Sequence, residues 1–418
     1  MKYSDIVPDN SFLSRWLLKM NRLETADAYD FWSGMWAISY AVGRSAYVAR
    51  GSLPLRLNLF CVFVSESGVG RKSTAISQVE KLLGDMPMLL TGYTTANQFE
   101  AVLEDLTSKG GSAEVGIAIS EMARFLGRQS GMKDLPIMLT DLYDCPEKRV
   151  IFGAKSHKKE GPVRITEVRK AWVSLLTGCA PAWLGSAVHP QVLEGGFSSR
   201  TLFIVANRGK ELRAWPDEAD DTNEMESLRN DLLQMRATAK SNGEILLSDG
   251  GRGEYTTWYT HRKGAKSHHE RIFESREADH ILRCAAILCI NGGGWEIQRQ
   301  HVAAAIKLIG EVKAGMASLF FDTEERTTKI TTGIERVREK LAALRPDIIR
   351  HRDLYISVRN YLSVEMFRTL MLTMQSMGLI EVIRKKNGQG AYYKGLTRLT
   401  EPGHLQELAR VLRQHHGS

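Results

Sequence analysis

The chain is 418 residues long, 43% hydrophobic and 25% charged, which is length and apolar content enough for two or three domains, each with its own core. It has no apolar run near the roughly 18–20 residues of a membrane span and no basic-then-apolar leader in residues 1–20, so no membrane partner and a cytoplasmic location are expected. The net charge of +8 is uneven: residues 331–418 hold 15 Lys and Arg against 8 Asp and Glu, and residues 147–170 hold 8 against 3. That distribution fits a polyanion partner, because clustered cations release counterions from nucleic acid.

Residues 1–50 read as helical, with Phe12, Trp16, Leu17 and Met20 at helical spacing and Phe31-Trp32 opening a small-residue stretch through Ala46. These aromatics read as core. Pro54 and Asn58 lead into an apolar strand at 60–64, which runs into Ser65-Glu66-Ser67-Gly68-Val69-Gly70-Arg71-Lys72-Ser73-Thr74 and then a helical pattern at Ala75, Ile76, Val79, Leu82 and Leu83. Strand, glycine loop, lysine with hydroxyl, helix is the order of a P-loop. Backbone N–H groups and a helix N-terminus surround a polyphosphate, a lysine reaches the outer phosphates, and a hydroxyl holds Mg²⁺. Lys72 and Ser73 take the last two roles, with Ser67, Gly68, Val69, Gly70, Arg71 and Thr74 completing a site for ATP and Mg²⁺. The spacing departs from G-x-x-x-x-G-K-[ST], since Arg71 stands between Gly70 and Lys72. The alternative is a plain strand–turn–helix in which Gly68 and Gly70 serve the turn.

Thr94 to Asn97 then read as the cap of a helix over 98–106, which Gly110-Gly111 ends. A second apolar strand, 114–119, finishes at Ser120-Glu121. An acid in that place orients Mg²⁺ or activates water, which makes Glu121 the candidate catalytic and metal-binding carboxylate. Ser120 stands where an aspartate often stands, so Mg²⁺ would be held more through water and Ser73. A third strand, 171–179, carries Thr177 as the candidate sensor of the γ-phosphate, and a fourth, 201–205, follows Gly195 to Arg200. Strands alternating with helices predict an α/β fold, an αβα core whose parallel sheet holds its site at the strand C-termini.

Beyond an acidic linker near 217–226, helices are expected through about 245, at 276–290 and at 299–314, the last two separated by Asn291-Gly292-Gly293-Gly294 and forming a helical lid. Helices at 334–344, 352–359 and 364–377, then strands at 379–383 and 391–393, read as a winged helix-turn-helix whose wing presents Arg384, Lys385 and Lys386 to phosphates. The domain plan is therefore a helical region at 1–50, a P-loop core at 51–210, a lid at 211–330 and a nucleic-acid-binding domain at 331–418. Five scattered cysteines have neither zinc nor disulfide spacing, and His268-His269 and His415-His416 read as solvated.

Asn58-Leu59-Phe60, Gly70-Arg71-Lys72-Ser73-Thr74, Ile119-Ser120-Glu121, Leu142-Tyr143-Asp144, Pro181-Ala182-Trp183-Leu184 and Gly195-Gly196-Phe197-Ser198-Ser199-Arg200 together resemble a helicase-like family of P-loop ATPases encoded by phages and prophages. The resemblance spans about residues 30–315, and a similar arginine–lysine pair occurs in that family's loop. More distantly the chain is similar to the minichromosome-maintenance ATPases and their hexameric AAA+ relatives. Ser199-Arg200 before an apolar strand resembles their arginine finger, and Ser275-Arg276-Glu277 with Ile281-Leu282-Arg283 resembles their lid helix. The resemblance implies that Arg200 reaches the γ-phosphate held by a neighbouring subunit and that Arg276 closes over the nucleotide of one of the subunits. Ala180 stands where those families carry an asparagine.

The resemblance gives the basic stretch a role too. Val150-Ile151-Phe152 and Val163-Arg164-Ile165 read as hairpin strands around Lys155, His157, Lys158 and Lys159, where ring helicases place a hairpin that grips DNA; the alternative is a solvated loop. The expected function is a nucleic-acid-stimulated ATPase, a ring-forming and preferably hexameric replicative helicase of a phage or mobile element. It would act on single-stranded or forked DNA, alongside a primase or polymerase of the same element. The rivals are an ATP switch that binds DNA without unwinding it, such as a helicase loader, initiator or transposition regulator, and a P-loop scaffold without catalysis.

Overall fold

The computed structural model describes residues 2–418 apart from 52, 85, 87, 93–94, 123–134, 153–164, 182–195, 207–209, 211–221, 263, 266–267, 345–346, 385–390, 397–403, 405–406, 410 and 413–418. The chain divides into two compact units, one of residues 1–181 and 187–317, the other made chiefly of residues 318–418. Among the described residues no helix is long and apolar enough to cross a membrane.

The first unit opens with α1 (Phe12–Met20) and α2 (Asp27–Val42). From Tyr29 to Val42 every side of α2 is buried, the pattern of a helix that is apolar all round. The expected aromatic core is present: Phe12, Trp16, Phe31 and Trp32 are buried, and Trp16 Nε1 donates to the Asp30 carbonyl at 2.9 Å. A hairpin of β1 (Tyr47–Arg50) and β2 (Leu53–Arg56) follows, then β3 (Phe60–Val64), α3 (Lys72–Leu83), the two-residue β4 (Leu89–Leu90) and α4 (Ala96–Gly110). Thr95 caps α4 in a reciprocal box with Gln98.

Next come β5 (Glu114–Ile119), α5 (Leu135–Tyr143), the antiparallel pair β6 (Lys148–Phe152) and β7 (Ile165–Arg169), β8 (Trp172–Cys179), α6 (Gly196–Arg200) and β9 (Thr201–Val205). The unit closes with α7 (Thr222–Asn242), β10 (Leu246–Leu247), α8 (Asp249–His261), α9 (His268–Asn291), β11 (Glu296–Ile297) and the start of α10 (Arg299–Ala343).

The central sheet is all parallel, in the order β4-β5-β8-β3-β9. Its inner strands are continuous apolar runs; β3 and β8 are buried at every residue, as strands covered on both faces must be. From β3 the chain runs outward to the edge at β4, returns through β5 and β8, and then crosses β3 to reach β9. Right-handed crossovers place the connection after β3 on one face and the later ones on the other. The two sets diverge between β3 and β8, which leaves a crevice at the carboxyl ends of those strands.

The second unit joins the end of α10 to β12 (Ile349–Arg350), α11 (His351–Val358), α12 (Val364–Ser376), β13 (Ile380–Arg384) and β14 (Ala391–Gly395), with an antiparallel sheet in the order β12-β14-β13. Ile334, Val337 and Leu341 of α10 pack with Leu354, Val358, Phe367, Leu370 and Met374. The expected helices at 299–314 and 334–344 are one 45-residue helix. The sequence between them holds no proline, and its two glycines, Gly315 and Gly333, each weaken a helix by only about 1 kcal/mol.

Candidate functional site

The loop after β3 lies at that crevice. Gly68 and Gly70 have φ of 78° and 73°, and Arg71 also sits in the left-handed region at φ 53°, ψ 45°. A non-glycine residue there costs roughly 1–2 kcal/mol. The residue that lengthens the motif is thus absorbed as one left-handed step, after which Lys72 begins α3. The Arg71 guanidinium is held by Glu24, whose Oε2 accepts from Nε at 3.1 Å and from NH2 at 2.7 Å. No side chain caps α3, so its first-turn N–H groups have no side-chain acceptor. Ser67, Gly68, Val69 and Ser73 are exposed and Thr74 half-buried.

Lys72 folds back across the loop. Its Nζ donates to the Ser65 carbonyl at 2.6 Å, to Ser65 Oγ at 3.0 Å and to the Glu66 carbonyl at 3.2 Å. Burial lowers its pKa, opposed by the nearby carboxylates of Glu121 and Glu66. The lysine stem runs over Gly178 of β8: a Cβ on that glycine would lie 3.4 Å from Lys72 Cβ and 3.0 Å from the Ser120 carbonyl oxygen. Glu121 follows Ser120 at the end of β5, half-buried, with its main chain anchored where Met122 N donates to the Gly178 carbonyl at 2.7 Å. Lys72 and Glu121 therefore meet around Gly178, with Ser73 next to the lysine at the start of α3. Thr177 does not open onto it. It is fully buried inside the sheet between Val62 and Ile119, and its hydroxyl has no hydrogen-bond partner.

The N-terminal helices brace this loop, which the sequence reading did not foresee. Ala26 N donates to the Gly70 carbonyl at 3.1 Å, and the Tyr29 hydroxyl donates to the carbonyl of Val64, the last residue of β3, at 2.8 Å. The Tyr29 ring stacks on Phe63, and a Cβ on Gly70 would lie 2.8 Å from its Cε2. Burial raises the pKa of the Tyr29 phenol, which keeps it a donor. Its only sequence-level signal is its place on an apolar helix.

Arg200 and Arg276 lie elsewhere. Arg200 closes α6, just before β9, and Asn58 Nδ2 ties the neighbouring segment to the start of the sheet by donating to the carbonyls of Tyr143 at 2.8 Å and Val173 at 3.1 Å. The arginines thus sit at the amino ends of the strands, about 13 Å away along β3 alone from the end that carries the loop. Both meet Asp144. Arg200 NH2 donates to its Oδ2 at 2.7 Å, while Arg276 donates from NH1 to Oδ1 at 3.0 Å and from NH2 to Oδ2 at 3.1 Å. Arg200 NH1 reaches the Gly196 carbonyl at 3.0 Å, close enough that a Cβ on Gly196 would lie 2.7 Å from that nitrogen.

One turn along α9, buried His280 sets Nε2 2.9 Å from the Ser199 carbonyl and Nδ1 3.5 Å from the Tyr143 hydroxyl. Burial, with Arg283 beside it, lowers its pKa to about 3, so the ring is neutral and Nε2–H donates. Arg283 lies over the Tyr143 ring at 4.6 Å.

β6 and β7 pair antiparallel, with the second strand at Ile165–Arg169 where 163–165 was expected; Lys155, His157, Lys158 and Lys159 lie outside the described residues, as do Lys385 and Lys386. Arg384 ends β13, opposite Ala391. All five cysteines are buried free thiols, and the described residues hold no group of three or more side chains able to bind a metal ion.

Chemically, the crevice offers uncapped helix N–H groups, one ammonium, one exposed hydroxyl and one carboxylate. That donor set fits a polyphosphate, and Ser73 and Glu121 would supply two oxygen ligands to Mg²⁺, with phosphate and water supplying the rest. The chain matches no protein-family model and no curated protein.

Proposed function

We propose that this protein is a P-loop ATPase that works as an assembly of identical subunits on DNA, a ring-forming helicase of a phage or mobile element. The observation that carries the reading is the pairing of two ends. Lys72, Ser73, Glu121 and the uncapped N-terminus of α3 lie at the carboxyl end of the sheet, while Arg200 and Arg276 lie at the amino end, out of reach of their own loop. A nucleotide held by one subunit's loop would then be met by the arginines of the next. The unit at 318–418, with α11, α12 and the β13–β14 hairpin, is read as a winged helix that holds DNA, and the β6–β7 hairpin as its second contact.

In this reading Lys72 leaves the Ser65 and Glu66 carbonyls for the outer phosphates, and Ser73 would hold Mg²⁺. Glu121 accepts a proton from water as its oxygen attacks the γ-phosphorus and the bridging P–O bond breaks. Arg200 and Arg276 of the adjoining copy neutralise the charge that develops. ATP supplies the phosphoryl bond, with Mg²⁺ as the counter-charge. Ser120, where a second carboxylate would strengthen the Mg²⁺ site, favours slow turnover, and with it the alternative of an ATP switch that loads or positions other proteins on DNA.

The test is ATP hydrolysis by the purified chain with and without single-stranded DNA, beside Lys72→Ala. Turnover that DNA raises and that falls at least about 100-fold in the variant is the expected result. Turnover indifferent to DNA, or undiminished by the substitution, would overturn the reading. Unwinding of a forked substrate separates a helicase from a switch.

A further inference from the structure

We infer that Asp144 is a positioning residue: it holds Arg200 and Arg276 side by side so that they meet the nucleotide of an adjoining subunit as one unit. The inference rests on the ATPase reading above and names a residue that reading does not use.

The two arginines come from separate elements, α6 and α9, and share only this carboxylate. Asp144 receives Arg276 through both of its oxygens and Arg200 through Oδ2, a fork geometry that fixes direction as well as distance. The arrangement is backed from behind. Arg200 packs over the Tyr143 ring at 5.9 Å and bonds the Gly196 carbonyl, and neutral His280 ties the Ser199 main chain to α9. Arg50 pairs with Asp279, which also stands 3.4 Å from Arg276.

Donors remain for a ligand. A guanidinium has five N–H donors; Arg200 uses one of NH1 on Gly196 and one of NH2 on Asp144, and with Nε buried, the second N–H of each terminal nitrogen is left for a ligand. The Asp144 side chain is 45% exposed, Arg276 28% and Arg200 14%, so the cluster meets solvent chiefly through Asp144 and Arg276. Arg50, Arg200 and Arg276 stand against two carboxylates, Asp144 and Asp279, and the one positive charge in excess suits phosphate oxygens. If Asp144 served only to fasten α9 to α5, its loss would weaken the fold whether or not the arginines were present. If it positions them, its effect on turnover must vanish once they are gone.

The experiment is a mutant cycle on the full-length chain with saturating single-stranded DNA. Asp144→Ala, and Asp144→Asn as the variant that keeps the side chain's shape, should lower kcat about tenfold or more while KM for ATP stays within about twofold, because the loop is untouched. Adding Asp144→Ala to Arg200→Ala/Arg276→Ala should lower kcat no further. Unchanged or raised kcat in the single variants, a loss that is fully additive in the triple variant, or a shift confined to KM would each overturn the inference while leaving the ATPase reading in place. A wild-type chain that binds ATP and never turns it over sinks both.

Discussion

Gly178 does the most with the least side chain. It sits in a buried strand, where a valine or isoleucine would pack well, yet a Cβ there would press on the Ser120 carbonyl and the stem of Lys72. Gly178→Val should leave the sheet folded and push the lysine off its track. Overpacking of this kind costs about 1–3 kcal/mol, so affinity for a fluorescent ATP analogue should fall about tenfold, while the melting temperature shifts far less than a core cavity would cause. An unchanged affinity would show that the lysine does not need its path over β8. The glycine was legible in the sequence only as part of an apolar run; what requires it is a lysine more than a hundred positions earlier, and no local pattern records that. Lys72 and Ser73 were legible because they stand where a glycine loop gives way to a helix, and Glu121 because it follows the end of a strand. Asp144 lies in a readable motif, but its partners are 56 and 132 residues away.

Among the elements, α9 shows how one helix face can fasten a site. Arg276, His280 and Arg283, at i, i+4 and i+7, all turn toward Tyr143 and Asp144. His280 is neutral in the fold, with its pKa near 3, and ordinary in the unfolded chain near 6.5. Its stabilising effect is therefore complete above about pH 6.5 and is lost as the pH falls from there toward 3. At pH 5 the loss from this one ring is about 2 kcal/mol. Thermal melts of wild type and His280→Asn should show the variant less stable at pH 7 and the gap narrowing by pH 5; parallel curves would rule the ring out as the acid-sensitive group. Buried strands were readable because parallel strands covered on both faces are simply apolar. The two-residue β4 is too short to leave a pattern. The expected helices at 299–314 and 334–344 are one element, α10, because neither proline nor a glycine pair interrupts the chain between them.

At the scale of the whole molecule, the site as proposed is divided between the two ends of the sheet, and such a site would need a second copy to complete it. Mixing Lys72→Ala with Arg200→Ala tests this directly: each variant alone should keep only a small, measurable residual turnover, and an equal mixture should recover roughly a quarter of wild-type turnover, since one junction in four joins an intact loop to an intact arginine. No recovery in a mixture proven to co-assemble would mean that each copy works with its own arginine. The brace on the loop carries a different implication. Because α2 hangs on the last carbonyl of β3 and lies beneath Gly70, whatever steadies the loop also steadies α2, and linkage makes that reciprocal. The N-terminal helices are then less a preface to the loop than a handle on it, and if the loop holds phosphates as proposed, a contact made far from them would set how tightly they are held.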